Sequence, residues 1–120
     1  MELASQVLAG VVAALHIYFL VLEMFLWATP FGQKTFGRTA EEQEATKILA
    51  ANQGLYNGFL AAGLAWSLVA GDLIALPIRT FFLACVVVAG IYGAMTANKR
   101  ILFVQAVPAA IALAITLAIR

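Results

Sequence analysis

Charged residues and cysteines are scarce in this chain, and each shortage excludes a class of protein. Only 11% of its 120 residues are Asp, Glu, Lys or Arg, whereas 64% are hydrophobic. Because a soluble domain is about a quarter charged and about half apolar, this composition predicts an integral membrane protein. The single cysteine, Cys85, excludes an intrachain disulfide framework. A net charge of only +1 gives no argument for nucleic-acid binding, so no nucleic-acid partner is expected.

The start of the chain also lacks the features of a signal peptide. It reads Met1-Glu2-Leu3, without the basic residues that precede the apolar part of a signal peptide, and no convincing cleavage site follows. We therefore interpret the first hydrophobic run as a retained helix that lies in the lipid bilayer.

Turn-forming residues divide the hydrophobic sequence into four predicted spans. A membrane-spanning helix needs about 20 apolar residues, so the length permits one domain of about four spans. The predicted fold class is all-α, an antiparallel four-transmembrane-helix bundle that forms a single membrane domain. The spans cover about residues 3–28, 48–70, 80–97 and 101–119 of the domain 1–120, with a polar loop at residues 29–47.

Three short segments between the first three spans carry more local predictions. Residues 29–32, which contain a proline and a glycine, are expected to end the first span. In the polar loop, Thr39 and Glu42 have the spacing of a capping box, which predicts a short helix. Residues 73–79 include Pro77 and are predicted to form an apolar loop.

Two features of the C-terminal part bear on the fourth span. Residues 98–100 have the sequence NKR and predict a tight turn before it. Pro108 lies inside the span and lacks a backbone N–H, so it is predicted to kink the helix or to leave a carbonyl unpaired.

The distribution of basic residues predicts the orientation in the membrane. The loops after the first and third spans contain Lys34, Arg38, Lys47, Lys99 and Arg100, whereas the opposite side has Arg79 and Arg120. Because loops rich in lysine and arginine stay in the cytoplasm, both termini are predicted to lie outside.

His16 and Glu23 are ionisable residues within the first hydrophobic run. They are seven residues apart, so they lie within about 20° of one another around a helix. An acidic residue near the centre of a membrane helix costs roughly 2.5 to 3.5 kcal/mol on insertion scales, which makes a functional site the default hypothesis. Trp27 lies on the same face and is interpreted either as an interface anchor or as a residue that lines the site.

Polar residues of the other spans are predicted to lie at a similar depth to Glu23. The candidates for binding a substrate are Trp27, Asn52, Gln53, Tyr56, Asn57, Tyr92, Thr96 and Gln105. We expect a polar pocket that opens toward the cytoplasmic side, with His16 at its floor, while the rest of the spans is nearly all aliphatic. Gly54, Gly58 and Ala62 repeat every four residues, which predicts close helix packing.

Three blocks of sequence resemble a family of small bacterial membrane proteins, domain of unknown function 1304. The blocks are HIYFLVLEMFLW, FGRTAEEQEATKILAANQGLYNGFLAAGL and GIYGAMTANKRILFVQAVPA, of which ANQGLYNGFLAAGL is the most specific. The matching positions are His16, Glu23, Met24, Trp27, Asn52, Gln53, Gly54, Tyr56, Asn57, Gly90, Tyr92, Gly93, Thr96, Gln105 and Pro108. The resemblance implies a four-helix, multi-pass protein of the bacterial inner membrane and supplies no activity.

The residues leave three functions open. In the first, the protein binds or converts a small lipophilic molecule, with Glu23 as acid or base and His16 as a second proton-handling group. In the second, it is a proton-coupled transporter, which would require a homo-oligomer. In the third, it is a structural or accessory subunit in which His16 and Glu23 only make hydrogen bonds between helices. No metal or other cofactor is predicted, since there is one histidine and Cys85 lies on another helix.

Overall fold

A computed structural model of the chain describes residues 1–97, 99, 100 and 102–119, apart from the side chain of Leu102. The helices in these residues are α1 (Glu2–Met24), α2 (Pro30–Phe36), α3 (Ala40–Val69), α4 (Asp72–Thr96) and α5 (Val107–Ala118), with a π-helical segment at Leu102–Ala106. No strand occurs in the described residues, so the all-α class is confirmed. Asn98, Ile101 and Arg120, predicted in a turn, at the start of the fourth span and at its exit, lie outside the described residues.

The segment predicted to end the first span instead begins a second helix. Helix α1 ends at Met24, and Thr29 caps α2 by accepting a hydrogen bond from the N–H of Gly32. Pro30 is tolerated because the N–H groups of the first helical turn have no partner inside the helix. Gly37 ends α2 with a φ of 64°, a left-handed conformation that glycine adopts without steric cost.

The capping box at Thr39 and Glu42 is confirmed, but the helix that it begins is long. The N–H of Thr39 donates to Oε1 of Glu42 at 3.0 Å, and the N–H of Glu42 donates to Oγ1 of Thr39 at 3.2 Å. The helix is α3, which continues for 30 residues, so the short helix predicted in the loop is wrong. No proline interrupts residues 40–69, and this allows the helix to run from the polar segment into the apolar one.

Replacement of Thr39 by alanine is expected to loosen the start of α3 and to change the titration of Glu42. The hydrogen bond from the N–H of Thr39, followed by the one with its hydroxyl, lowers the pKa of Glu42 below 4.5. This contribution to stability is therefore present above pH 4.5 and is lost as the pH falls through the lowered pKa. NMR titration should show a higher pKa for Glu42 in Thr39→Ala than in the wild type, because the variant loses the hydrogen bond with the hydroxyl and keeps the one from the N–H. An unchanged pKa would contradict the capping role.

Residues 73–79, predicted as a loop, form the first turns of α4. Gly71 precedes the helix, and its carbonyl accepts hydrogen bonds from the N–H groups of Ile74 and Ala75 at 3.1 and 3.0 Å. Pro77 lies inside α4, so the prediction that it marks a loop is wrong. Proline near the start of a helix removes one hydrogen bond and still has helical φ, which explains why the helix continues.

Pro108 is accommodated by a change of helix type. The π-helical segment Leu102–Ala106 lies directly before α5, whose first turn contains the proline. A π-helical turn shifts the hydrogen-bond register and so removes the need for the N–H that proline lacks. Gly90 of α4 packs against this segment, since a Cβ there would lie 2.6 Å from the Cβ of Ala106.

The helices contribute to two compact units. The central unit contains residues 16–59, and the terminal unit contains residues 1–15 with 60–120. Small and aliphatic side chains form the core of the terminal unit: Ala9, Val12, Leu64, Leu83, Val86, Ala109 and Ala112. Within the described residues, α1 and α4 are long and apolar enough to cross a membrane, and Phe103–Ala118 is a shorter apolar helix.

Candidate functional site

Two glycines of α3 bring this helix close to α1 inside the central unit. A Cβ at Gly54 would lie 2.7 Å from Cγ of Met24, and one at Gly58 would lie 2.6 Å from Cδ1 of Leu20. Both helices therefore approach more closely than a larger residue would permit, as the four-residue spacing predicts. Ala62, the third member of that repeat, is exposed.

This close approach joins Glu23 to Asn57. Nδ2 of Asn57 donates to Oε1 of Glu23 at 2.5 Å, and both side chains are half-buried. The pair is charge-assisted if Glu23 is ionised, and such hydrogen bonds are shorter and stronger than neutral ones. Glu23 makes no ion pair among the described residues, so its partner there is a neutral amide. An apolar helix thus carries a carboxyl group held on one oxygen only.

His16 is enclosed by the protein. Its side chain has 0% of its surface exposed, and its ring meets that of Phe19 edge to face with centroids 5.2 Å apart. A proton carrier exchanges its proton with solvent or a ligand, whereas a structural histidine is enclosed and hydrogen-bonded. The complete burial of His16 matches the environment of a structural histidine, and its role as a proton-handling group stays a prediction.

Trp27 contacts residues of both α2 and α3. Its Nε1 donates to Oγ1 of Thr46 at 3.0 Å, and its carbonyl accepts from Nε2 of Gln43 at 2.7 Å. The centroids of its ring and that of Phe36 are 4.6 Å apart, with the ring planes tilted by 46°, and the guanidinium of Arg38 lies 5.9 Å from the Trp27 ring centroid. These contacts fix the connection from α1 to α3, with Gln43 completely buried.

The remaining polar residues of α3 lie on the exposed side of the helix. Asn52 donates to the carbonyl of Ile48 in its own helix at 2.9 Å. Asn52, Gln53 and Tyr56 are all exposed. Four polar residues of α3 are predicted to bind a substrate. The structure places one of them, Asn57, against Glu23, and the other three side chains are exposed.

Three predicted site residues belong to the terminal unit. Tyr92 is exposed and lines a shallow apolar groove of about 490 Å³ on α4. Thr96 donates to the carbonyl of Tyr92 at 2.8 Å, a bond within its own helix. Gln105 is half-buried in the π-helical segment. Their part in a common pocket with Glu23 stays a prediction.

The sequence interpretation missed a polar cluster centred on Arg79 in the terminal unit. The Arg79 side chain is 1% exposed, although the sequence predicts that the residue lies in a loop. Its Nη1 donates to Oγ of Ser5 at 2.9 Å and to Oε1 of Glu2 at 3.3 Å. Its Nε and Nη2 donate to the hydroxyl and the carbonyl of Ser67 at 3.3 and 3.0 Å. The hydroxyls of Ser5 and Thr116 are 2.7 Å apart, so the cluster includes α1, α3, α4 and α5.

The helical spacing of residues in α4 is the sequence signal that could have identified this cluster. Buried residues of α4 are Arg79, Leu83, Val86 and Gly90, spaced by four, three and four residues. That spacing marks one face of a helix, and it places Arg79 on the face that packs inward. The expectation that the spans are nearly all aliphatic away from Glu23 is therefore wrong.

Comparisons with known proteins find one family and one similar protein, neither with an assigned activity. The sequence pattern of the family described as "Protein of unknown function (DUF1304)" matches residues 10–117. The uncharacterized protein YpaA of Lactococcus lactis subsp. lactis (strain IL1403) is 30% identical over 107 residues, which cover 88% of this chain and 89% of that protein. No solved structure matches the chain.

Proposed function

The chain belongs to the DUF1304 family, and from this premise we propose that it is an integral membrane protein whose Glu23 and Asn57 bind or convert a small lipophilic molecule. The family supplies no activity, so the proposal is based on the site. The observation that carries it is the Glu23 carboxyl group, which lies in an apolar helix and is held by one neutral amide.

The membrane part of the proposal is supported by the helices and their surface. Helices α1 and α4 are long and apolar enough to span a bilayer. Large apolar side chains cover much of the outside, among them Val7, Val69, Leu73, Phe81, Val88 and Ile111. Exposed apolar area on this scale fits lipid contact better than water. We propose that part of α3 and residues 101–119 complete a four-span bundle in the bacterial inner membrane, with both termini outside.

The chemical part of the proposal follows from how Glu23 is held. Asn57 hydrogen-bonds to one carboxyl oxygen and fixes the orientation of the group. The second oxygen has no partner among the described residues, so a ligand N–H or O–H can bind there. A carboxyl group within hydrogen-bond reach of a bound molecule can give a proton to it or take one from it, as a general acid or base does. We assign His16, which is buried, to positioning α1.

A Glu23→Gln variant is expected to lose the ligand and to keep the fold. Gln is almost isosteric and still accepts a hydrogen bond from Asn57, but it cannot exchange a proton. Native mass spectrometry of protein purified from its own membranes should show a co-purifying lipophilic molecule reduced at least about tenfold in Glu23→Gln, a loss of about 1.4 kcal/mol in binding.

A lipophilic carbodiimide provides a second measurement on the same site. Dicyclohexylcarbodiimide is itself apolar and reaches carboxyl groups in apolar surroundings, so it should label Glu23 in the wild-type protein and leave Glu23→Gln unlabelled. Glu44→Gln is the matched control, since Glu44 is exposed and paired with Lys47. Equal labelling of wild type and Glu23→Gln, with the lipophilic molecule retained by both, would rule the proposal out.

The burial of His16 favours a second function, that of a structural or accessory subunit. In this case the polar residues only join helices, as the Glu23–Asn57 hydrogen bond does. Glu23→Gln and His16→Leu would then lower the melting temperature without changing what co-purifies with the protein.

A further inference from the structure

One side of α3 has the spacing of a coiled-coil seam and no covering partner in the described chain. Leu49, Asn52, Tyr56 and Phe59 follow one another at intervals of three, four and three residues. All four are exposed; Leu49, Tyr56 and Phe59 have 71%, 59% and 57% of their surface accessible. We call these four residues the α3 seam. Such spacing places side chains on one stripe that faces a neighbouring helix.

The polar member of the α3 seam is unsuited to contact with lipid. Nδ2 of Asn52 donates to the carbonyl of Ile48, and its amide oxygen has no partner among the described residues. Hydrocarbon offers no hydrogen bond to an amide, so a membrane helix buries such a group against protein. The seam therefore requires a partner that both packs against aromatic rings and hydrogen-bonds to an amide.

We propose that a second copy of this chain covers the α3 seam in a symmetric dimer. The proposal rests on the membrane insertion that belongs to the proposed function. Two copies inserted with the same topology present their α3 helices in parallel across a two-fold axis, so that like residues meet. Asn52 then pairs with Asn52 of the partner copy, because an amide has both donor and acceptor groups. Tyr56 packs against its own equivalent in the same way.

A single asparagine in an otherwise apolar seam favours self-association over other partners. In parallel coiled coils, one such residue fixes both the register and the number of helices, at a cost in stability. The seam carries no charge that would select a different protein. The dimer also bears on the site, since Tyr56 directly precedes Asn57 and the second copy comes to lie beside the Glu23–Asn57 pair.

Cysteine cross-linking in native membranes tests the dimer. In a Cys85→Ala background, Leu49→Cys, Tyr56→Cys and Phe59→Cys should each form a disulfide-linked dimer under mild oxidation. Two exposed control positions should not: Ala65→Cys, which lies about 140° around α3 from Asn52, and Val88→Cys on α4. Similar yields at the seam and control positions, or no dimer at any of them, would overturn the proposal.

Energy transfer between labelled copies in phosphatidylethanolamine–phosphatidylglycerol vesicles measures the strength of the association. Asn52→Leu should weaken it about tenfold, in keeping with interhelical hydrogen bonds in model peptides, while Val88→Leu leaves it unchanged. Unaltered association in Asn52→Leu would overturn the asparagine pairing.

The outcome of these tests is separable from that of the ligand experiments. If Glu23→Gln still binds the lipophilic molecule while the seam positions cross-link, only the ligand part of the proposed function is wrong. If alkaline carbonate extracts the chain from membranes, the chain is not inserted in the bilayer, and both proposals are wrong.

Discussion

Replacement of Arg79 by leucine is expected to lower the free energy of unfolding by about 3 kcal/mol, because it removes the centre of a buried hydrogen-bonded cluster. Unfolding by sodium dodecyl sulfate in mixed micelles, followed by circular dichroism, would measure the loss. The expected effect is large for one residue, since most substitutions cost between about 0.5 and 3 kcal/mol.

The reason lies in the groups that Arg79 satisfies. Its guanidinium donates to the hydroxyls of Ser5 and Ser67, to the carbonyl of Ser67 and to Glu2. Leucine would leave the acceptors of Ser5 and Ser67 buried without this donor, and each orphaned polar group costs about 1 to 3 kcal/mol. The Glu2 carboxylate is half exposed and can return to water, so it adds little to this loss.

Two variants separate the hydrogen-bond geometry from the charge. Arg79→Lys keeps the charge and loses the planar fork, so it should fall between wild type and Arg79→Leu. Lys34→Met removes an exposed basic residue and should leave stability within about 0.5 kcal/mol of wild type. An Arg79→Leu protein as stable as wild type would mean that the cluster gives no net stabilisation, as replacement of some buried ion pairs has shown.

The features predicted well from the sequence are those that depend on neighbouring residues. The capping box at Thr39 and Glu42 follows from a three-residue spacing, and the structure confirms it. Close packing at Gly54 and Gly58 follows from a four-residue spacing and is likewise confirmed. Local geometry fixes both patterns, so no knowledge of distant contacts is needed.

Contacts between distant helices were less predictable. The sequence placed Asn52 level with Glu23, yet Asn57 makes the hydrogen bond. The depth of a residue along a helix follows from its position in the sequence, whereas the face that contacts a neighbouring helix depends on the rotation of both helices. The position of Arg79 is wrong in the prediction for a local reason: residues 73–79, with Pro77, are predicted to form a loop, although α4 begins at Asp72 and contains them.

Replacement of Gly32 by alanine is expected to cost about 3 kcal/mol, at the upper end of the range for overpacked positions. A Cβ there would lie 2.2 Å from the carbonyl oxygen of Leu26 and 2.3 Å from that of Trp27. Both obstacles are backbone atoms, so no side-chain rotation relieves the clash. The carbonyl of Trp27 also accepts the hydrogen bond from Gln43, and a shift of this backbone would break it.

Trp27 itself reports on the substitution. In a Trp66→Phe background, the fluorescence of Trp27 should shift to longer wavelength in Gly32→Ala, since its ring loses the contacts with Phe36 and Thr46. Gly71→Ala is the matched control: a Cβ there meets nothing within 4 Å, and the φ of −65° suits alanine. If Gly32→Ala were as stable as Gly71→Ala and kept the wild-type emission, α2 would not pack on the backbone of Leu26 and Trp27 as the structure has it. The expected difference between two glycine-to-alanine changes therefore tests the packing of the central unit directly.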